Sequence, residues 1–235
     1  MNFLMPLYNI YSTKTCSVRR ISIRNSKFSI VDNGKTIMME DTFRDLVIVD
    51  AAVVSRSYYA NAFDPNRSEV PTCWSADTQR PSTDVPREQK QAARCMDCPQ
   101  NVRGSGSNRG RACRFSQRLA IVFDGQLDEV YQLQLPATSI YGRDSNGHMP
   151  MQGYVKFLSS RGAVATRLVT RVYFDEQSPI PKLYFKPIRS LSNEEASTVS
   201  DLKDHPDTCK AIRLDVSAEP KSPFAVVDGF ELNAT

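Results

Sequence analysis

Residues 46–54 read Leu-Val-Ile-Val-Asp-Ala-Ala-Val-Val, a nearly continuous run of aliphatic side chains. Because apolar and polar residues do not alternate along it, the run predicts a strand buried on both faces. This segment is the best candidate for the central strand of the fold.

Shorter patterns on either side of this run predict further strands. The segment 18–31 alternates basic and aliphatic residues, and Asn33-Gly34 is a strong hairpin signal before 36–39. Asp124-Gly125 separates two further strand patterns in the same way. In 165–175, Leu168, Thr170, Val172 and Phe174 fall on one side, and Val169, Arg171 and Tyr173 on the other. The other predicted strands are 118–124, 129–135 and the proline-bounded 183–185.

Two short helices are predicted among these strands. Residues 151–160 suit a helix that stops before Gly162. Ser192 followed by Glu195 is a capping-box signature, which predicts a helix over 193–203 that ends before Pro206.

The order of these elements favours an all-β to α+β fold. We expect an OB-like antiparallel barrel, with a large insertion and one or two short helices. Residues 1–205 would form a single OB-like domain that carries the insertion at 55–117, and residues 206–235 would be a C-terminal extension.

Charge and composition restrict the function and the compartment. The 235 residues include 30 Lys and Arg against 26 Asp and Glu, a net charge of only +4, so any nucleic-acid surface must be local. Neither a secretory leader nor an apolar membrane-spanning run is recognisable, which predicts a cytoplasmic protein. In a reducing compartment, clustered cysteines usually bind metal.

Four cysteines lie within the insertion, which otherwise lacks a long apolar pattern. Cys95-Met96-Asp97-Cys98 places two thiols where both can bind one tetrahedral ion, and Cys73 and Cys113 can complete four ligands. Structural zinc would also explain how the insertion holds a shape without a core of its own. We therefore predict a structural zinc site and a zinc-stabilised insertion.

Other interpretations of these thiols remain open. Buried free cysteines are common in proteins, and an iron–sulfur cluster also takes four thiolates, although this spacing matches neither ferredoxin pattern. A thioredoxin-like redox pair is disfavoured because no βαβ pattern surrounds Cys95 and Cys98. Cys16 and Cys209 are interpreted as structural.

A basic stretch follows the Cys-x-x-Cys pair. No acidic residue lies between Asp97 and Asp124, whereas arginines and glycines alternate there. Arginine suits bidentate phosphate contacts and stacking on bases, and glycine lets the backbone approach a phosphate. The alternative is a solvated loop whose charge serves solubility.

Aromatic side chains near these charges are candidate base-stacking platforms, although core packing explains each ring equally well. A basic arm near the N-terminus, with Lys14, Arg19 and Lys27, adds to the positive charge. The candidate nucleic-acid contacts are Arg20, Arg24, Arg56, Tyr58, Tyr59, Trp74, Arg103, Arg109, Arg111, Arg114, Phe115 and Arg118.

No enzyme motif is recognisable. His148 and His205 lie far apart outside any hydrolase or deaminase motif, and neither a phosphate-binding loop nor a nucleophile elbow is present. We therefore expect a protein that is not an enzyme.

Five short motifs follow one another along the chain: Ser55-Arg56-Ser57-Tyr58-Tyr59, Pro71-Thr72-Cys73-Trp74-Ser75, Cys95-Met96-Asp97-Cys98-Pro99-Gln100-Asn101, Gly110-Arg111-Ala112-Cys113 and Arg118-Leu119-Ala120. Their order resembles that in a group of podovirus proteins associated with single-stranded DNA binding. The resemblance spans about residues 45–190 and implies a bacteriophage protein that coats single-stranded DNA in the infected host. It departs from many phage binders at the end, 223–235, where only Asp228 and Glu231 are acidic.

The sequence thus predicts a single-stranded DNA-binding protein without strong sequence specificity, acting in phage replication or transcription. One alternative is a transcription accessory that recruits a phage RNA polymerase to single-stranded template. Another is a zinc-stabilised structural protein with no nucleic-acid role. Replication proteins are further possible partners, and no membrane partner is expected.

Overall fold

The computed structural model describes residues 18–24, 26–61, 69–106, 109–144 and 147–216. The predictions made for Lys14, Cys16 and the C-terminal residues 223–235 lie outside these ranges. Within them the strands are β1 (Arg20–Arg24), β2 (Lys27–Asp32), β3 (Lys35–Met38), β4 (Phe43–Ala51), β5 (Ser55–Tyr58), β6 (Cys73–Ser75), β7 (Arg114–Phe123), β8 (Gln126–Pro136), β9 (Leu168–Phe174) and β10 (Leu183–Ser190). The α-helices are α1 (Ala137–Ile140), α2 (Met151–Ser159), α3 (Asn193–Leu202) and α4 (Pro206–Ile212).

The ten strands form one mixed sheet, which confirms the all-β to α+β class. Its order is β10-β9-β4-β7-β8-β1-β2-β3, and β5 extends it by pairing with both β6 and β7. The prediction of a wholly antiparallel sheet is wrong, because β1 runs parallel to β8, with Ile21 opposite Leu133. The predicted Asn33-Gly34 hairpin is present, and both residues have positive φ, as a two-residue hairpin turn requires.

The central strands β4 and β7 are buried on both faces. The run 46–54 predicted this for one strand, and the prediction holds for 46–49, whereas β4 ends at Ala51 and Val53 is 68% exposed. Leu46 and Ile48 point into the larger core with Leu119, and Val47 and Val49 point into a smaller core on the opposite face. Helices α1 and α2 pack on the larger core, and α3 and α4 contribute to the smaller one. The sheet is therefore sandwiched between helices over its central strands.

The sheet curls around the larger core. Phe28 of β2 and Phe174 of β9 lie five positions apart in the strand order, yet their ring centroids are 4.5 Å apart. The end strands β10 and β3 do not pair with each other, so the strand path is open. The predicted OB-like barrel is not confirmed by this topology.

Replacing Leu133 with Ala should strongly destabilise the fold. Leu133 lies on β8 and is 0% exposed in the larger core, and comparable Leu→Ala changes cost about 2–5 kcal/mol. Denaturant unfolding would measure the loss. Val53→Ala is the control, because Val53 is 68% exposed, and a surface change usually stays within about 0.5 kcal/mol. Equal stability of the two variants would contradict this assignment of the core.

Helix α3 begins at the predicted capping box. The Ser192 side chain accepts a hydrogen bond from the Glu195 backbone, and the Glu195 carboxylate accepts one from the Ser192 backbone. Arg189 of β10 also donates to both carboxylate oxygens of Glu195, at 2.8 Å each. The same side chain thus caps α3 and ties it to the sheet.

This network predicts a pH dependence. Hydrogen bonds from Arg189, and then from the Ser192 backbone, lower the pKa of Glu195 from 4.5 to about 2. Because the pKa is lower in the folded chain, the stabilisation is present above pH 4.5 and is lost as pH falls towards 2. Glu195→Gln should therefore be less stable than the wild type at neutral pH and equally stable near pH 2 in thermal unfolding. A difference that does not change with pH would contradict this role of the carboxylate.

Helix α4 begins at Pro206, the residue before which the preceding helix was predicted to end. The Gln132 side chain of β8 donates a hydrogen bond to the Ala211 carbonyl oxygen at 2.7 Å, and Ala211 is buried in the smaller core. The first part of the predicted C-terminal extension therefore packs on the sheet.

Candidate metal centre and arginine loop

The four cysteines of the insertion lie on short, hydrogen-bonded turns that lead into two strands. Cys73 begins β6, Cys95 begins the 3₁₀ turn Cys95–Asp97, Cys98 precedes the 3₁₀ turn Pro99–Asn101, and Cys113 precedes β7. We call these four residues the cysteine cluster. All are reduced, and each is only 8% exposed.

Backbone hydrogen bonds connect the segments that carry the cluster. The Cys95 amide donates to the Gln79 carbonyl oxygen at 2.9 Å, and the Cys113 amide donates to that of Gln100 at 2.8 Å. The Asn101 amide donates to the Cys98 carbonyl oxygen at 2.9 Å. The two longer-range bonds thereby join the Cys95 turn to the segment at Gln79, and the segment before β7 to the turn at Gln100.

The local apolar core at the cluster is small. Cys73, Trp74 and Val85 form it, and Tyr58 packs against it from β5. Far fewer apolar side chains meet here than in the two cores on the sheet, so burial alone provides this region with little stability.

The thiols of the cluster influence one another's ionisation. Burial raises the pKa of Cys113, the positive charge of Arg56 opposes the rise, and the neighbouring Cys98, Cys95 and Cys73 add to it, so that the pKa reaches about 12. Burial also raises the pKa of Cys73, which accepts a hydrogen bond from the Gln91 backbone. Among the described residues, no group of three or more His, Cys, Asp or Glu side chains is already arranged to hold a metal ion.

Arg56 lies beside the cluster rather than on the surface. It is 9% exposed, and its Nη1 donates to the Cys95 carbonyl oxygen at 3.2 Å. Its guanidinium carbon lies 4.2 Å from the centre of the Phe115 ring. Arg56 is therefore far less accessible than the exposed arginines that the sequence grouped with it as nucleic-acid contacts.

We call residues 103–114 the arginine loop. This segment follows Cys98, contains Cys113 and ends at Arg114, the first residue of β7. The Gly104 amide donates to the Gly110 carbonyl oxygen at 2.8 Å, and Arg111 Nε donates to that of Asn101 at 2.7 Å. At Gly106, an added Cβ would lie 2.8 Å from the backbone nitrogen of Ala112, so the close approach requires glycine. The described part of the loop is therefore ordered and attached to the cluster.

Four arginines of this loop are exposed to solvent: Arg103, Arg109, Arg111 and Arg114. Within the described ranges none of them forms an ion pair, in contrast to the nearby Arg94, which pairs with Asp97. Four of the five arginines predicted to contact nucleic acid from the stretch between Asp97 and Asp124 are therefore accessible, and the contact itself stays a prediction.

The other predicted contacts are less accessible or lie elsewhere. Trp74 and Arg118 are buried, and Phe115 is half-buried between Arg56 and the edge of Tyr141. Tyr58 and Tyr59 are half-buried on and just after β5. Strand β1 lies apart from the loop, with Arg20 opposite Gln132 of β8. The side chain of Arg24 lies outside the described part of the structure.

A groove at the opposite end of β4 brings together aromatic and basic residues that the sequence did not single out. Its lining consists of Thr42, Phe43, Arg171, Tyr173, Phe174, Lys186 and one carboxylate, Glu176. The Arg171 guanidinium lies 4.1 Å from the centre of the Phe43 ring. Arg171 is also paired with Asp45 through two hydrogen bonds. The sequence contains one indication of this groove, because Arg171 and Tyr173 fall on the same side of the predicted strand 165–175. Phe43 and Lys186 lie on other strands, so the sequence could not bring them together with this pair.

Searches for similar family models, curated proteins and solved structures find no match to this chain. In the described portion of the chain, every helix is too short or too polar to cross a membrane.

Proposed function

We propose that this protein binds single-stranded DNA without strong sequence specificity and is not an enzyme. The observation that carries the proposal is the arginine loop, which displays four exposed arginines from a framework tied to the cysteine cluster. The motif resemblance noted above supports the biological setting, a bacteriophage protein in the cytoplasm of the infected host.

The charge pattern of the loop suits phosphate binding. Residues 98–123 contain no carboxylate, so nothing in this stretch competes with phosphate for the arginines. Each guanidinium can bind a phosphate through two parallel hydrogen bonds, and most of the affinity then comes from release of counterions. Such contacts hold the DNA backbone and do not read the bases.

A structural zinc ion bound by Cys73, Cys95, Cys98 and Cys113 is part of the proposal. Four buried thiols that influence one another, on turns with a small apolar core, suit an ion that supplies folding energy to the insertion. Zinc bound there would fix the chain at Cys98, before the arginine loop, and at Cys113, near its end.

The OB-like barrel is retained as the finer proposal for the fold. The contact between Phe28 and Phe174 supports it, because it requires a strongly curled sheet. A groove on such a barrel would extend the DNA path beyond the arginine loop.

Titration of labelled oligonucleotides tests the proposal. The wild-type protein should bind single-stranded DNA of unrelated sequences with similar affinity, and the affinity should fall steeply as salt concentration rises. Single-stranded RNA and duplex DNA in the same assay would define the preferred nucleic acid. Absence of salt-dependent binding to any of them would refute the proposal and favour a structural role.

A further inference from the structure

The side chain of Arg56 is a buried cation whose charge is not neutralised by an acidic residue. It is nine-tenths buried, and it forms no ion pair within the described ranges. Its Nε has no hydrogen-bond partner, and its Nη1 has only the carbonyl oxygen of Cys95. Burial of a full charge in this way is costly unless a counter-charge lies nearby.

The partners that Arg56 does have are dipoles rather than charges. The Phe115 ring face and one carbonyl oxygen attract a cation, but neither carries a net negative charge. The carbonyl oxygen that Arg56 contacts belongs to Cys95 of the cysteine cluster, and the Arg56 charge acts on the Cys113 thiol and on the Tyr141 hydroxyl. Burial raises the pKa of Tyr141, whereas metal binding deprotonates thiols, so the cluster is the group that can supply the compensating charge.

Strand register explains why Arg56 lies there. On β5, Arg56 is opposite Ser75 of β6 and Phe115 of β7, and Tyr58 is opposite Cys73. Residues opposite each other, or two apart on one strand, share a face of the sheet. Arg56 thus shares a face with Cys73 and with Phe115, two residues after Cys113.

We propose that Arg56 is the charge-balancing residue of a four-thiolate metal centre formed by Cys73, Cys95, Cys98 and Cys113. This inference rests on the zinc site of the proposed function. Four thiolates around a divalent cation leave a net negative charge, which the buried guanidinium would offset. Metal binding and the burial of Arg56 are then interdependent, since each supplies the charge that the other lacks.

The interdependence predicts opposite effects of one substitution in two states of the protein. In the metal-loaded protein, Arg56→Met removes the counter-charge and should weaken metal binding. In the metal-free protein, the same change removes an unpaired buried charge, so stability should stay the same or rise. A residue that only fills space would lower stability in both states.

Cobalt(II) provides a spectroscopic probe for the full-length protein, because its absorption reports tetrahedral thiolate ligation. Competition with a chelator should show affinity about 10–100-fold weaker in Arg56→Met, the usual effect of losing a group that supports metal ligands. Arg56→Lys keeps the charge and should retain most of the affinity. Arg114→Met is the matched control, since it removes an exposed arginine next to Cys113 and should leave the affinity unchanged.

Several results would overturn the inference. Unchanged cobalt affinity in folded Arg56→Met, or equal weakening in Arg56→Lys, would assign Arg56 to packing. Lower stability of metal-free Arg56→Met would do the same. If Arg56→Met fails to fold, Arg56→Gln can be compared with the wild type instead, because its side chain is also neutral. A wild-type protein that takes up no cobalt would remove the metal centre itself, whereas the oligonucleotide titration reports separately on DNA binding.

Discussion

Protein purified without added metal should contain one tightly bound zinc ion per chain. The Cys95→Ser and Cys98→Ser variants should lose this ion. Either change removes one of four thiolates from a closed structural site. Structural zinc contributes about 10–16 kcal/mol of apparent binding free energy in small zinc domains. This is the largest effect we expect from any single substitution in the chain.

The loss should be confined to the insertion. The cores on the two faces of the sheet do not include Cys95 or Cys98, whereas the apolar cluster around Cys73 is small. Limited proteolysis should therefore cut within 73–113 in the variants, while the far-ultraviolet circular dichroism of the sheet persists. Elemental analysis would measure the metal content.

Cys209→Ser is the matched control, because Cys209 is an exposed thiol on α4, away from the cysteine cluster. This variant should keep its zinc and its resistance to protease. A fully folded wild-type protein without metal, or a Cys98→Ser variant with unchanged proteolysis, would refute the site. Iron and visible absorbance in place of zinc would identify an iron–sulfur cluster.

The sequence was most informative where a local pattern corresponds to one structure. The aliphatic run 46–54 predicted burial on both faces, which holds for 46–49, and the Ser192–Glu195 pair predicted the start of α3. Both are decided by neighbours in the chain, since continuous apolarity and capping-box spacing act over a few residues.

Prolines were informative in one place and misleading in another. Pro187 was expected to bound the strand 183–185, but β10 continues to Ser190, because it is an end strand of the sheet and shifts register after Pro187. The helix predicted over 193–203 does end before Pro206, but the sequence missed α4, which begins at Pro206 because a missing amide hydrogen costs nothing there. Proline ends one element and begins another, and only the tertiary structure decides which.

The direction of side chains in the insertion was beyond sequence reasoning. Arg56 and Trp74 looked as accessible in the sequence as the exposed arginines of the loop, because neither lies in a long apolar run, yet both are buried. Their direction depends on how β5 pairs with β6 and β7, strands about 15 to 60 residues away in the chain. The same limit applies to the groove at Phe43, which three separate strands build.

Changing Arg109, Arg111 and Arg114 together to Ala should weaken binding of single-stranded DNA and flatten its salt dependence. Each lost phosphate contact should reduce the slope of log affinity against log salt by about 0.7, because one fewer counterion is released. Three lost contacts would therefore lower the slope by about 2. The effect should be equal for oligonucleotides of different sequence.

The matched control removes the same formal charge elsewhere. Lys156, Arg161 and Arg167 are exposed on α2 and the segment after it, outside the insertion. Changing these three to Ala should leave the slope nearly as in the wild type. Zinc content must be measured in both triple variants, because Arg111 also holds the loop through the Asn101 carbonyl oxygen.

Aromatic substitutions near the loop need a different interpretation after the structure. A change at Trp74 removes part of the small apolar core beside Cys73, so weaker binding by that variant would report on the insertion's stability. Tyr58 packs against the same core, so a change at Tyr58 would also report on the stability of the insertion.

If the variant with Arg109, Arg111 and Arg114 changed to Ala keeps its zinc and an unchanged salt slope, the arginine loop is a solvated surface. The groove lined by Phe43, Tyr173 and Lys186 then becomes the next candidate site for DNA binding. The rings of Phe43 and Tyr173 are at least partly exposed and can stack on bases, and stacking releases no counterions.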